Sequence, residues 1–172
     1  MEKLKIKISL REYVKLLSGL TYRKPVMIVI LSIDLLMMTW IILWHLNVQN
    51  IPKITFYQYT TVILITIVQP IVILSSIRRN YQSSAHLKEK IEIEFTKEFL
   101  KITGESFYTE LTWTKTFKVK ELKEWFLIYQ NNFSAVMIPK KVFDKDGEEK
   151  FKNLIKSIPG LKLELLPVKK EV

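Results

Sequence analysis

Two long apolar stretches dominate this sequence and limit what it can fold into. They cover residues 26–44 and 56–77, and each is close to the roughly 20 apolar residues that a helix needs to cross a bilayer. A soluble core could also bury two such helices, but the flanking residues described next favour a membrane. We therefore predict a two-helix transmembrane hairpin over residues 25–79.

The residues that flank these stretches are typical of membrane boundaries. Aromatic residues gather beside the loop of the hairpin (Trp40, Trp44, Phe56, Tyr57, Tyr59) and at the two ends away from the loop, called here the outer ends (Tyr22, Tyr81). This distribution is typical of the aromatic belts of membrane proteins. The basic residues at the outer ends are Arg23, Lys24, Arg78 and Arg79, and we expect them to contact lipid headgroups. The connecting loop carries only Lys53, so the positive-inside rule places both termini in the cytoplasm.

Asp34 lies inside the first stretch, where a charge costs at least about 2.5–3.5 kcal/mol. Asp34 and Gln69 each lie eight residues from the outer end of their own stretch, so both are expected at the same depth. Pro70 has no N–H, which leaves the Thr66 carbonyl without its helical donor. A protonated Asp34 could bond to Gln69 or to that carbonyl. We predict an intramembrane polar contact among Asp34, Gln69 and Thr66 that joins helices, with a proton or transport role as the alternative.

Residues 1–24 combine two different patterns. Charged and apolar residues alternate over residues 3–8, which predicts a short strand. Ser9 and Glu12 then have the spacing of a helix capping box, and apolar residues recur at helical spacing from Leu10 to Leu20. The predicted amphipathic helix either lies on the inner membrane surface or packs on the cytoplasmic domain.

After a polar linker over residues 80–90, the apolar pattern changes to the period of strands. Strands are predicted at residues 91–95, 99–103, 107–113, 117–122, 125–130 and 133–138. A helix is predicted to begin at an N-cap within residues 144–147 and to end at Pro159 and Gly160. The tail, residues 160–172, contains a possible strand at 161–165 that either pairs with residues 3–8 or joins a sheet edge. The predicted fold class is α+β: the hairpin, then an antiparallel β sandwich or open barrel over residues 91–159, closed by the C-terminal helix.

The composition excludes several kinds of site. Without cysteine there is no disulfide, thiolate metal site or cysteine nucleophile, and no glycine-rich loop suggests a nucleotide. Since no catalytic set can be assembled, we expect no enzyme activity, no cofactor and no metal. The net charge is +10, with domain lysines at positions 115, 118, 120, 123, 140 and 141. Glutamates lie among the lysines of this basic stripe and reduce its positive charge. We therefore expect contact with anionic lipid and no binding of nucleic acid.

Several short motifs carry a resemblance to a known family. They are "YRKP" before the hairpin, the dibasic Arg78-Arg79 after it, and then "GES" at 104–106, "LTW" at 111–113, "KVKE" at 118–121 and "IPK" at 138–140. Over most of residues 20–157 the chain resembles the bacterial YcxB-like membrane proteins. The resemblance implies the bacterial inner membrane and a pleckstrin-homology-like fold for the C-terminal part.

The functional expectation combines this architecture with the absence of a catalytic set. We expect a non-enzymatic, membrane-anchored binding or scaffold protein with a cytoplasmic pleckstrin-homology-like domain. Related membrane-anchored proteins imply a role in membrane-stress response or bacteriocin self-protection. The alternatives are an accessory subunit of a transporter and an anionic-lipid surface sensor. The expected partners are the lipid bilayer and an unidentified protein, which is a transporter or a second copy. The short turn at 96–98, with one lysine, argues against inositol-phosphate binding.

Overall fold

A computed structural model describes residues 3–167 of the chain, which form two compact units. The β unit consists of residues 3–8 and 85–167. The helical unit consists of residues 9–84. In sequence, the helical unit is therefore an insertion into the β unit.

The helical unit begins with α1 (Leu10–Tyr22), whose N-terminus carries the predicted capping box between Ser9 and Glu12. Helix α2 spans Pro25–His45. Helix α3 (Phe56–Ile63), a π turn (Leu64–Val68) and α4 (Gln69–Ser83) follow as one continuous helix of 28 residues. By length and composition, α2 and this continuous helix can each cross a membrane.

The π turn ends at Val68, two residues before Pro70. The Gln69 N–H donates to the Leu64 carbonyl five residues earlier, whereas an α-helix would use the carbonyl four residues earlier. Because Pro70 has no N–H to donate, the α-helical ladder is interrupted here in any case. A π turn is one of the usual local adjustments at such an interruption.

Two contacts close the helical unit at its two ends. Between α2 and α3 the chain reverses through Asn47 and Asn50, which both have positive φ, a conformation that asparagine tolerates. There His45 Nε2 lies 2.8 Å from the Tyr59 hydroxyl. At the other end α1 packs on α4, where Asn80 Nδ2 donates to the Tyr13 hydroxyl over 3.1 Å.

The β unit contains two four-stranded sheets. The first has the order β1 (Lys3–Ile6), β2 (Ile91–Phe95), β3 (Phe99–Thr103), β4 (Tyr108–Thr112), and all its pairs are antiparallel. The second has the order β7 (Ala135–Pro139), β6 (Trp125–Tyr129), β5 (Lys118–Glu121), β8 (Leu163–Glu164). Strand β8 pairs with β5 in parallel, so the two terminal strands join different sheets rather than each other.

Helix α5 (Lys145–Lys156) supplies the centre of the core. Asp144 caps it by accepting from the Gly147 N–H over 2.6 Å. Phe151 and Ile155 are fully buried, and the Phe151 ring packs against Phe95 and Phe126 with centroids 5.1 and 5.0 Å apart. The helix thereby fills the space against both sheets, since Phe95 belongs to β2 and Phe126 to β6.

The structure confirms an α+β fold with two long apolar helices, and its two sheets do not close into a barrel. It differs from the sequence predictions in two places. The predicted linker at 80–90 is partly helical, because α4 continues to Ser83. The leader, residues 1–24, is divided between the two units, with β1 in one and α1 in the other. Residues 168–172 of the predicted tail lie outside the described residues.

Candidate functional site

The first candidate site is the contact between Asp34 and Thr66 in the helical unit. Asp34 is only 5% exposed, although most side chains of α2 are exposed within the chain. The Thr66 hydroxyl donates to Asp34 Oδ2 over 2.8 Å, which joins α2 to the π turn. Such hydrogen bonds between apolar helices contribute on average about 0.6 kcal/mol and up to about 1.7 kcal/mol. The contact thus joins the two apolar helices to each other.

Gln69 was one of the two partners expected for Asp34, but the structure shows no bond between them. Its Nε2 lies 3.5 Å from the Met27 sulfur as a weak donor, and Asp34 bonds to the Thr66 hydroxyl rather than to its carbonyl. The depth estimate counted from the end of the apolar stretch at Ile77, but the helix continues to Ser83. The estimate also assumed an unbroken α-helix, whereas a π turn precedes Gln69. Thr66 precedes Gln69 by three residues, so its hydroxyl was the signal available in the sequence.

Two buried oxygens at this site have no hydrogen-bond partner within the described part of the chain. They are Asp34 Oδ1 and Gln69 Oε1. A buried polar atom without a partner costs about 1–3 kcal/mol, so these two atoms distinguish the site from an ordinary apolar helix contact.

The four basic residues predicted to contact lipid lie beside the two apolar stretches. Arg23 is the C-cap residue of α1, and Lys24 is the N-cap residue of α2. Arg78 and Arg79 follow the buried Ile77 in α4, and all four are exposed. Whether they contact lipid stays a prediction.

The second candidate site is an ion-pair network around Glu121 in the β unit. Glu121 is 3% exposed. Its carboxylate accepts hydrogen bonds from Lys140, from Lys152 at 2.7 Å and from the Leu166 N–H at 3.1 Å. Glu148 contacts the same two lysines, each at 2.9 Å. Burial acts to raise the pKa of Glu121, but the bonds from Lys140 and Lys152 outweigh it and hold that pKa below its usual value.

A cavity of about 560 Å³ adjoins this network. Its lining includes Glu121, Lys123, Lys140, Lys152 and Lys156. The sequence treated Lys123 and Lys140 as parts of one basic stripe, but Lys140 is used in the buried network. Lys118 and Lys120 are likewise paired, with Glu164 at 2.6 and 3.1 Å. Lys118, Lys120 and Lys140 are therefore paired with carboxylates within the unit.

The third candidate site is an apolar pocket of about 190 Å³, also within the β unit. Ile8, His86 and Leu87 line it together with Gln130 and residues of β2, β3, β4 and β7. The Phe107 ring stands edge-on to His86 with centroids 4.5 Å apart. These residues lie beside the two points at which the chain passes to the helical unit.

The turn between β3 and β4 positions Phe107, which lines this pocket. Glu89 Oε2 accepts from the Ser106 N–H over 3.0 Å, and the Ser106 hydroxyl donates to the other oxygen. These bonds lower the pKa of the Glu89 carboxyl. A Cβ at Gly104 would lie 2.6 Å from Phe107 Cδ1 and 2.9 Å from Glu89 Oε2, so the close packing here requires glycine.

The comparison with protein families concerns this same unit. Residues 95–155 match the family model described as YcxB-like protein. The match runs from the end of β2 into α5 and includes the Gly104 turn, the Glu121 network and the core residue Phe151. It supports the resemblance over that range. No curated protein and no solved structure matches the chain.

The two histidines of the chain lie in different units. Within residues 3–167, no group of three or more histidine, aspartate or glutamate side chains is placed to hold a metal ion. His45 contacts Tyr59 in the helical unit, and His86 contacts Phe107 in the β unit. Each histidine is thus engaged by an aromatic neighbour.

Proposed function

We propose that this protein is a non-enzymatic scaffold anchored in the bacterial inner membrane. Helix α2 and the continuous helix from Phe56 to Ser83 form the anchor. The β unit is a cytoplasmic binding domain with a pleckstrin-homology-like fold. The observation that carries the proposal is the pairing of β1 with β2, since the entire helical unit lies between these two strands in the sequence.

This pairing constrains how the chain can cross a membrane. Strands of one sheet lie on the same side of a bilayer, because their backbone groups bond directly to each other. The chain between β1 and β2 must therefore cross an even number of times. The two apolar helices supply two crossings, which supports a hairpin. The basic residues at its outer ends and the single lysine in its loop support a cytoplasmic β unit.

The order of elements supports the pleckstrin-homology-like assignment. A four-stranded meander, β1 to β4, is followed by a three-stranded meander, β5 to β7, and then by α5. In this order the turn at residues 96–98 joins the second and third strands rather than the first and second. A loop for inositol phosphates would be expected between the first two strands, β1 and β2, and here the membrane anchor takes its place. The anchor therefore attaches the domain to the membrane covalently.

The absence of cysteine makes the topology directly testable. One variant carries Asn50→Cys in the hairpin loop, and another carries Glu105→Cys in the exposed β3–β4 turn. In intact cells, a membrane-impermeant maleimide should label position 50, and it should label position 105 only after permeabilisation. Labelling of position 105 in intact cells would contradict the cytoplasmic placement. Labelling of position 50 only after permeabilisation would contradict the hairpin.

The physiological part of the proposal is protection against membrane-active peptides, which rests on the resemblance. A strain that lacks this protein should become more sensitive to some members of a panel of peptide bacteriocins. Re-expression of the full chain should restore resistance, whereas a chain with the hairpin deleted should not. Unchanged sensitivity across the panel would remove the support for this role.

A second candidate function is an accessory subunit of a transporter. The two unpartnered oxygens, Asp34 Oδ1 and Gln69 Oε1, favour it because a third helix could supply their donors. Asp34→Asn separates this function from simple anchoring. If the variant assembles but the partner's transport activity is lost, the acid takes part in transport. If both assembly and transport survive, Asp34 acts only in helix packing.

A further inference from the structure

We propose that the turn between β6 and β7 inserts Phe133 into the cytoplasmic surface of the same bilayer that holds the hairpin. This inference rests on the proposed anchor and adds a second, non-covalent membrane contact. Phe133 is 97% exposed, more than any other exposed large hydrophobic side chain in the described residues. A single exposed apolar residue is ordinary on a protein surface, so the case depends on its presentation, its position and its neighbours.

The turn presents Phe133 in a defined conformation. Asn131 Oδ1 accepts from the backbone N–H groups of Phe133 and Ser134, each over 2.8 Å. The Gln130 N–H donates to the Ser134 carbonyl over 3.0 Å and closes the turn. Because the asparagine side chain holds the backbone, ordering this turn on contact with a surface costs less conformational entropy than ordering a flexible loop.

The position of the turn within the β unit connects it to the anchor. Gln130 and Ala135, on either side of the turn, line the apolar pocket together with Ile8, His86 and Leu87. Ser9 alone separates Ile8 from α1, and two residues separate the end of α4 from His86. The end of the β unit that carries Phe133 is thus the end to which the anchor is covalently attached.

The neighbours of the turn have the chemistry of a lipid-facing surface. The Phe117 N–H donates to the Tyr129 carbonyl over 2.8 Å, which places half-exposed Phe117 beside the base of the turn. Lys162 Nζ lies 5.7 Å from the Phe117 ring. Aromatic rings favour the membrane interface, and a lysine beside such a ring attracts anionic headgroups.

The test uses the full chain with one cysteine at a time, labelled with an environment-sensitive fluorophore. The protein is reconstituted into vesicles of phosphatidylethanolamine and phosphatidylglycerol. Phe133→Cys reports on the turn, and Lys123→Cys is the matched control on an exposed turn at the other end of β6. Leu36→Cys, in the middle of α2 and 70% exposed within the chain, reports on the anchor itself.

Two quenchers locate each label. A spin label near the lipid headgroups should quench position 133 several-fold more strongly than position 123, and aqueous iodide should quench position 133 several-fold less. Equal quenching at positions 133 and 123 by both quenchers would overturn the inference while leaving the anchor intact. A label at position 36 that is accessible to iodide and insensitive to lipid quenchers would overturn the anchor, and the inference with it. Shielding of position 133 from iodide without lipid quenching would indicate a protein contact instead and also overturn the inference.

Discussion

Ile6 lies directly opposite Ile91 in adjacent antiparallel strands, although the complete helical unit separates them in the sequence. This pair joins the two segments of the β unit, which the inserted helical unit separates in the sequence. Ile6 is almost fully buried, as is Ile93 two residues further along β2. The first strand is therefore a structural part of the domain, and it requires the two ends of the helical unit to return to the same place.

This pairing predicts a specific cross-link. Lys5 lies opposite Glu92, and the two form an exposed ion pair at 3.3 Å. The double variant Lys5→Cys/Glu92→Cys should form a disulfide on mild oxidation, because directly opposite Cβ atoms lie about 4.5–5.5 Å apart. The disulfide is measured by cutting the loop between α2 and α3 with a protease and comparing mobility on a non-reducing gel.

The control for this cross-link pairs Lys5→Cys with Lys97→Cys. Lys97 is exposed in the turn at the far end of β2, so the same oxidation should leave this pair unlinked. Equal cross-linking of both pairs would mean that residues 3–6 have no fixed register.

The Asp34–Thr66 bond predicts coupled effects in the helical unit. Thr66→Val and Asp34→Leu should each change the thermal stability of the chain in detergent. In a double-mutant cycle, the coupling between the two positions should be about 0.6–1.7 kcal/mol. Asp34→Asn should keep most of this coupling, because its amide oxygen still accepts from the Thr66 hydroxyl.

Ser32→Ala is the matched control for these substitutions. The Ser32 hydroxyl donates to the Ile28 carbonyl of its own helix over 2.8 Å and joins no second helix. Its removal should leave helix packing unchanged. A coupling energy of zero between positions 34 and 66 would show that the bond does not hold the two helices together.

Two glycine substitutions should have opposite effects. Gly104→Ala should destabilise the β unit by about 1–3 kcal/mol, since its Cβ would displace the Phe107 ring in a packed turn. Gly19→Ala should stabilise the chain by up to about 1 kcal/mol, because Gly19 lies inside α1 and nothing lies within 4 Å of its added Cβ. The free energies of unfolding of the two variants and the parent chain measure both effects. Destabilisation by Gly19→Ala would contradict the open space beside Gly19.

The Glu121 network predicts acid sensitivity of the β unit. The folded pKa of Glu121 lies below its unfolded value near 4.5, so its stabilisation is fully present above pH 4.5 and is lost as pH falls through the folded pKa. Glu121→Gln should cost about 2–3 kcal/mol at neutral pH, because Lys140 and Lys152 lose a buried partner. Hydrogen exchange of the β5 and β6 amides measures this locally.

Glu164→Gln is the control for that network. Glu164 pairs with Lys118 and Lys120, but its side chain is 45% exposed, so its loss should cost less than about 1 kcal/mol. The Glu121→Gln variant should also lose stability less steeply than the parent chain as pH falls below 4.5. An unchanged acid profile would show that Glu121 is not the group responsible.

Local patterns in the sequence predicted most of the secondary structure. Strands β2 and β3 coincide with the predicted residues 91–95 and 99–103, because one face of each strand is buried and the other is solvated. The capping box at Ser9 and the N-cap at Asp144 begin their helices as expected. These features depend on neighbours within a few residues, which the sequence displays directly.

The contacts between distant residues were less predictable. Counting along the two apolar stretches predicted a bond from Asp34 to Gln69 or to the Thr66 carbonyl, whereas the Thr66 hydroxyl is the group that bonds to Asp34. From the sequence, Glu121 was one of several acids that reduce the charge of the basic stripe. In the structure it is the buried centre of an ion-pair network. Side-chain partners of this kind depend on how elements from different parts of the chain align.

The sequence by itself determined the two apolar helices, the strand-rich C-terminal part and the helix that packs on it, because hydrophobic periodicity and capping act locally. Only the tertiary structure decided that residues 3–6 complete the first sheet beside β2, and that residues 163–164 join the second sheet beside β5. An edge strand is selected by the free backbone groups and buried face of its neighbour, and these exist only once the sheet has formed. For this chain, that selection makes the whole helical unit an insertion between two paired strands.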